Sequence, residues 1–320
     1  MMSASPLRRT RYGALALAAL ALAGCDKSAG GATARTPNIV ASTQAWALVA
    51  KAVAGEQVPV AVIVGAGKDP HEYQFSSRDA AAVESASVAV MGGKGYDSFM
   101  DKALPAGGGP KAIKGESATI VSPELRPKGN AALDNPHVFF DFAVVDAVAH
   151  ELADELSRED SAHGDLYRHN LRTLRAQLQG FAEQLEELGR SHPGLRAVQT
   201  ESVGQYLLDY LGASDVTPAG YRAAVANESD PALADQAAAV GLISSRGADL
   251  VVDNPQEENK SVNELLAAAT SAGVPVVGVG ETPPPQVASY SDWLRSILGG
   301  FTTALGSPAQ PNGEHAGPAR

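Results

Sequence analysis

Val58-Pro59-Val60-Ala61-Val62-Ile63-Val64-Gly65-Ala66-Gly67-Lys68-Asp69-Pro70-His71-Glu72-Tyr73 passes from an apolar, β-branched run into a polar loop. The run Val58–Val64 predicts a strand, so His71 stands just beyond a strand end, where open α/β sheets keep their ligand sites. Pro70 fixes its own φ and pushes Asp69 out of helical space, which stiffens the backbone that presents the imidazole. A second Pro-His pair, in Asn135-Pro136-His137, repeats the arrangement. One such pair carries little weight, because a single His is usually structural or exposed. Two rigidly presented imidazoles suggest two ligands of one divalent metal.

Outward from this stretch, strands and helices alternate. Asn38–Ala41 reads as a first strand, followed by a helix capped by Ser42 or Thr43 and ended by Gly55. Arg78–Ser85 predicts a short helix, Ser87–Met91 a buried strand, Gly95–Met100 the start of a helix and Thr119–Val121 a weaker fourth strand. Such alternation argues for a parallel sheet. Gly92-Gly93 with Gly95 reads as a tight turn, because no Lys-Ser/Thr pair of a phosphate loop follows it.

From Glu159 to Gly189 the period changes. Leu171, Leu174, Leu178, Phe181, Leu185 and Leu188 recur at steps of three and four, one apolar stripe on a helix roughly 45 Å long. Beyond it the alternation resumes, with strands at Arg196–Thr200, Ala248–Val252 and Val274–Gly280 and a closing helix at Asp292–Leu305. The first and last of these strands run into Glu201 and Glu281. His71, His137, Glu201 and Glu281 are therefore four candidate ligands, 66, 64 and 80 residues apart, so no one helix or loop holds them. Two come from each half. Imidazoles with hard carboxylates suit Mn(II), Fe(II) or Zn(II) and disfavour Cu(I). Asp253 is the competing acid for the fourth position. His150, His163, His169, His192 and His315 read as solvated or capping residues.

The chain has 320 residues, enough for two lobes, and a formal charge of −11. An acidic surface argues against nucleic acid as a partner. Arg8, Arg9 and Arg11 precede an apolar Ala14–Ala23, too short to span a bilayer. Removing this leader with its three arginines would take the charge from −11 to −14. Leu22-Ala23-Gly24-Cys25 resembles a bacterial lipobox, which implies a lipidated Cys25. That residue is the only cysteine, so no internal disulfide forms. Expected boundaries are a leader at 1–24, a flexible tether at 25–36, an N-terminal lobe at 37–158, a linking helix at 159–190, a C-terminal lobe at 191–306 and a disordered tail at 307–320.

Asp69-Pro70-His71-Glu72-Tyr73 and Asn135-Pro136-His137 with Asp141 resemble the two histidine motifs of the zinc- and manganese-binding receptors of bacterial ABC importers, the cluster A-I solute-binding proteins. The resemblance covers about Pro37 to Leu305. It implies an α/β fold of two lobes, each a parallel sheet flanked by helices, joined by one long rigid helix. It further implies a monomeric, extracytoplasmic lipoprotein that binds metal through His71, His137, Glu201 and Glu281 and delivers it to a permease. Thr200-Glu201-Ser202-Val203-Gly204-Gln205-Tyr206 matches the first C-lobe motif, where zinc receptors usually have His and manganese receptors often Glu. Glu281 matches a position that is commonly Asp, and Phe139-Phe140 stands where the family usually has Trp. No His-rich acidic loop lies between His71 and His137, which also looks like the manganese branch. A metal-dependent hydrolase using the same ligands is the alternative, but four protein ligands leave little room for substrate water. A surface adhesin of the same family is another.

Overall fold

A computed structural model describes residues 37–68, 70, 73–105, 107–127 and 134–306. The expected leader, Cys25, the tether and the tail from 307 lie outside the described residues, as do Asp69, His71 and Glu72.

The order of elements is β1 (Ile39–Thr43), α1 (Gln44–Ala54), β2 (Val60–Val64), α2 (Ser77–Ser85), β3 (Val88–Met91), α3 (Ser98–Ala103), β4 (Lys111–Lys114), α4 (Phe142–Glu159), α5 (Gly164–Arg190), β5 (Arg196–Gln199), α6 (Gln205–Tyr210), β6 (Ser214–Asp215), α7 (Ala219–Ala226), α8 (Leu233–Ser244), β7 (Leu250–Asp253), α9 (Lys260–Ala272), β8 (Val276–Gly278) and α10 (Tyr290–Leu305). They form two four-stranded sheets, ordered β2-β1-β3-β4 and β6-β5-β7-β8, with every pairing parallel. Strand order reverses beside β1 in one sheet and beside β5 in the other. Loops at the carboxyl ends of the strands around such a switch point leave a crevice that can hold a ligand.

Helix α5 has 27 residues, about 40 Å of length. Tyr167, Leu171, Leu174, Leu178, Phe181, Leu185 and Leu188 are all buried on one face of it. That face packs on α1, α4, α6 and α10, which come from both halves. The last turn of α5 approaches α6 so closely that a Cβ on Gly189 would lie 2.0 Å from the Leu211 carbonyl oxygen. One hydrophobic cluster accordingly joins Trp46 and Phe140 of the first half to Leu208, Trp293 and Phe301 of the second through the α5 leucines.

Two sequence expectations are corrected. The fourth strand of the first sheet is Lys111–Lys114, not Thr119–Val121. In Lys-Ala-Ile-Lys only Ile113 is buried, so this edge strand reads as polar, whereas the apolar Val121 is 41% exposed. Helices α7 and α8 were not anticipated. The buried face of α8 is Gln236, Ala239 and Ile243, too small and polar to contrast with the rest of an Ala-rich segment. Among the described residues, no helix is long and apolar enough to cross a membrane.

Candidate metal centre

His137, Glu201 and Glu281 converge, with one ligating atom of each lying within 4.8 Å of the others. His137 is not directly after a strand, as the sequence reading placed it. It follows the long connection from β4 and sits at the start of a 3₁₀ turn, Val138–Phe140, that leads into α4. Asp141 then caps α4, its carboxylate accepting from the amides of Ala143 and Val144, and it also pairs with Arg126. This fixes the direction in which the chain leaves the His137 turn. Glu201 follows β5, and Glu281 stands three residues beyond β8.

Nε2 of His137 lies 3.3 Å from Glu201 Oε1 and 3.3 Å from Glu281 Oε1. A divalent ion bound about 2.0–2.2 Å from each atom of a tetrahedral N/O set holds its ligands about 3.4 Å apart, a spacing that the two His137 contacts match. His137 and Glu281 are only 2% and 3% exposed. A carboxylate buried as deeply as Glu281, with the half-buried Glu201 beside it, calls for a cation between them.

In the metal-free arrangement that cation is a proton. Burial by itself lowers the affinity of His137 for a proton, but the flanking Glu201 and Glu281 carboxylates outweigh it and raise the imidazole pKa to about 9. Burial likewise pushes the Glu201 carboxyl up, only partly offset by its contact with His137.

Polar neighbours orient each of the three groups. Asn135 Oδ1 accepts from the His137 backbone N–H at 2.8 Å and lies 2.9 Å from Nδ1, so Nδ1 carries the donor hydrogen and Nε2 faces the carboxylates. The Asn135 amide is itself oriented by donating to the Ser202 carbonyl at 2.8 Å, a bond between the two halves. Asn254 Nδ2 donates to Glu201 Oε2 at 2.7 Å, and the Tyr96 hydroxyl donates to Glu281 Oε2 at 3.0 Å. Burial raises the Tyr96 phenol well above its ordinary range, which keeps it a donor. Replacing Asn135 with alanine is expected to weaken metal binding about 10- to 100-fold while leaving the fold intact. Isothermal titration alongside far-UV circular dichroism checks this, and unchanged affinity would remove Asn135 from the centre.

Asp253, the competing acid, stays outside the cluster. It is buried at the end of β7, and its Oδ1 accepts from the Thr200 hydroxyl at 3.3 Å. His163 pairs with Asp160, and His192 contacts the carbonyls of Leu188 and Leu305. Neither belongs to the cluster. The glycine turn after β3 is occupied from within: the Asp97 carboxylate accepts from the amides of Gly92 and Gly93 at 2.7 and 2.8 Å. Sequence reasoning missed Tyr96 and Asn254, because an isolated Tyr or Asn carries no spacing signal. Asn135 was legible only as the first residue of the second Pro-His motif.

The sequence model of the family described as zinc-uptake complex component A, periplasmic (ZnuA), matches residues 39–304. The chain belongs to this family. Among its relatives, the manganese-binding lipoprotein MntA of Bacillus subtilis (strain 168) is 24% identical over 309 residues, covering 93% of this chain and 100% of that protein. The laminin-binding protein Lmb of Streptococcus agalactiae, described as bifunctional with adhesin and metal-transporting activity, superposes with a TM-score of 0.67 at 19% identity, over 84% of this chain and 99% of that one. A crystal structure of ZnuA superposes with a TM-score of 0.66 at 18% identity, over 86% and 100%. At these identities the two structures speak to fold, and the expected two-sheet architecture with a long helix agrees with them. ZnuA-family membership makes the chain a substrate-binding component of divalent-metal uptake, in agreement with the expectation of a receptor and against that of a hydrolase.

Proposed function

We propose that this ZnuA-family chain is the extracytoplasmic receptor of a metal ABC importer, capturing one divalent ion between its halves and passing it to a permease. The observation that carries the reading is the meeting of His137 Nε2 with two carboxylates at 3.3 Å across the two halves. His137, Glu201 and Glu281 are the ligands in this reading, and His71, in the loop after β2, supplies the fourth. Residues 37–158 and 191–306 act as the two lobes, with 159–190 as the link between them. Their shared hydrophobic core favours small movements over wide opening, since separating the halves would expose apolar surface at about 25 cal/mol per Å².

Two imidazoles and two carboxylates neutralise a 2+ ion and suit Mn(II), although intrinsic affinity in an N/O site favours Zn(II). The Leu22–Cys25 lipobox supports anchoring through a lipidated Cys25, with the receptor a monomer at the membrane surface.

The test is metal content after refolding without metal and exposure to equal Mn(II) and Zn(II), with Glu201→His alongside. Retention of Mn(II) by the native chain and a swing to Zn(II) in the variant is the expected result. Zn(II) in both would make this a zinc receptor with a carboxylate third ligand, and neither metal in either would overturn the ligand set.

A further inference from the structure

We infer that Thr282 is a positioning residue of the metal centre, its hydroxyl latching the loop that carries Glu281 onto the loop after β2 in the opposite half. The inference rests on the metal-centre reading above and extends it to residues that hold the centre shut.

Thr282 is 1% exposed and immediately follows Glu281. Its hydroxyl lies 3.3 Å from the Lys68 carbonyl oxygen, so it is the donor there. The same hydroxyl oxygen accepts from Nε2 of Gln256. With one lone pair occupied by that N–H, the hydroxyl hydrogen is directed at Lys68. Gln256 also grips the backbone of Thr282 from both sides. Its Oε1 accepts from the Thr282 N–H at 3.0 Å, and its Nε2 lies 3.1 Å from the Thr282 carbonyl oxygen. A side-chain amide thereby imitates a strand partner for one residue.

Gln256 is in turn held by the residue that orients Glu201. Its backbone N–H donates to Asn254 Oδ1 at 3.1 Å, while Asn254 Nδ2 donates to Glu201 Oε2 at 2.7 Å. A continuous polar path therefore runs from Glu201 through Asn254, Gln256 and Thr282 to Lys68. It joins the loops after β5, β7 and β8 to the loop after β2.

Gly280 makes room for the arrangement, since a Cβ there would lie 2.8 Å from Gln256 Oε1. A Cβ on Gly67 of the β2 loop, at φ +70°, would lie 3.8 Å from the Pro285 ring, so the two loops face each other there as well. Releasing the metal requires these loops to part. The Thr282 bond is broken in that step, which makes it a determinant of release more than of capture.

The experiment is metal release from the full chain, followed by stopped flow against excess chelator after loading with Mn(II) or Zn(II), in wild type and in Thr282→Val, Thr282→Ser and Gly280→Ala. Losing one buried hydrogen bond between the halves predicts release about fivefold faster in Thr282→Val. Thr282→Ser keeps the hydroxyl and should release at close to the wild-type rate. Gly280→Ala keeps Thr282 but displaces Gln256, the group that aims its hydroxyl, and should also accelerate release. The electron paramagnetic resonance spectrum of bound Mn(II) should be the same in all four, since no ligand is altered. Wild-type release in Thr282→Val would overturn the latch. So would Thr282→Ser releasing as fast as Thr282→Val, which would assign the effect to altered packing at this position and not to the hydroxyl. A wild-type chain that holds neither metal would overturn the metal-centre reading itself, and the latch with it.

Discussion

Replacing His137 with alanine is expected to lower divalent-metal affinity by more than about 100-fold, beyond the range that neighbours of ligands command. Its Nε2 lies 3.3 Å from a carboxylate oxygen of each glutamate, and it is 2% exposed, so truncation removes the group that joins them inside the protein. The substitution should also damage the metal-free protein. Glu201 and Glu281 would be left facing each other without a cation, and removing one partner of a buried charge set costs about 3–5 kcal/mol. A chelator-competition titration reads the first effect and thermal melting of the metal-free variant the second. Wild-type affinity in His137→Ala would sink the assignment of His137 as a ligand. An unchanged melting temperature would mean that the carboxylates already share a proton without it.

Metal binding is expected to expel about one proton from the site at neutral pH. Burial of the imidazole lowers its pKa, but the two glutamates outweigh this and raise it to about 9, so His137 is protonated in the metal-free protein at pH 7 and Nε2 must lose that proton to bind a metal. Apparent affinity should therefore climb about tenfold per pH unit from about pH 7 and level off above about 9. Titration calorimetry at pH 7 in buffers of different ionisation enthalpy measures the proton count, and a count of zero would show that the imidazole is neutral before binding.

The same group fixes a stability trend of defined sign. Its folded pKa lies above the ordinary 6.5, so its contribution to the metal-free fold is complete below about pH 6.5 and is lost as pH rises through about 9. Bound metal replaces the proton as the counter-charge and should abolish that loss. The metal-free protein is expected to melt lower at pH 9.5 than at pH 6.5, and the metal-loaded protein to show little difference across that interval.

Local chemistry made much of the architecture legible in the sequence. Val60–Val64 and Val88–Met91 are apolar runs bounded by turn residues, and the α5 leucines repeat at helical steps. Patterns of this kind depend only on neighbours along the chain. The same holds for the chemical character of the candidate ligands, because Pro-His pairs and acids at strand ends can be recognised one at a time. Edge strand β4 and helices α7 and α8 escaped because burial there rests on Ile113, on Tyr221, and on Gln236 and Ala239, too few apolar positions to set a pattern along the chain.

Sequence by itself therefore determined the parallel α/β class, the long helix, and the proposal of two imidazoles with two carboxylates. Tertiary structure decided what each group meets. It set Asp253 against Thr200 and away from the cluster, brought Glu281 and Glu201 onto one nitrogen of His137, and turned Tyr96, Asn135, Asn254 and Thr282 into supports for them. Hydrogen bonds act over about 3 Å in space, whereas these partners lie up to 214 residues apart in the chain. Only the packing of two sheets along one helix converts the second distance into the first.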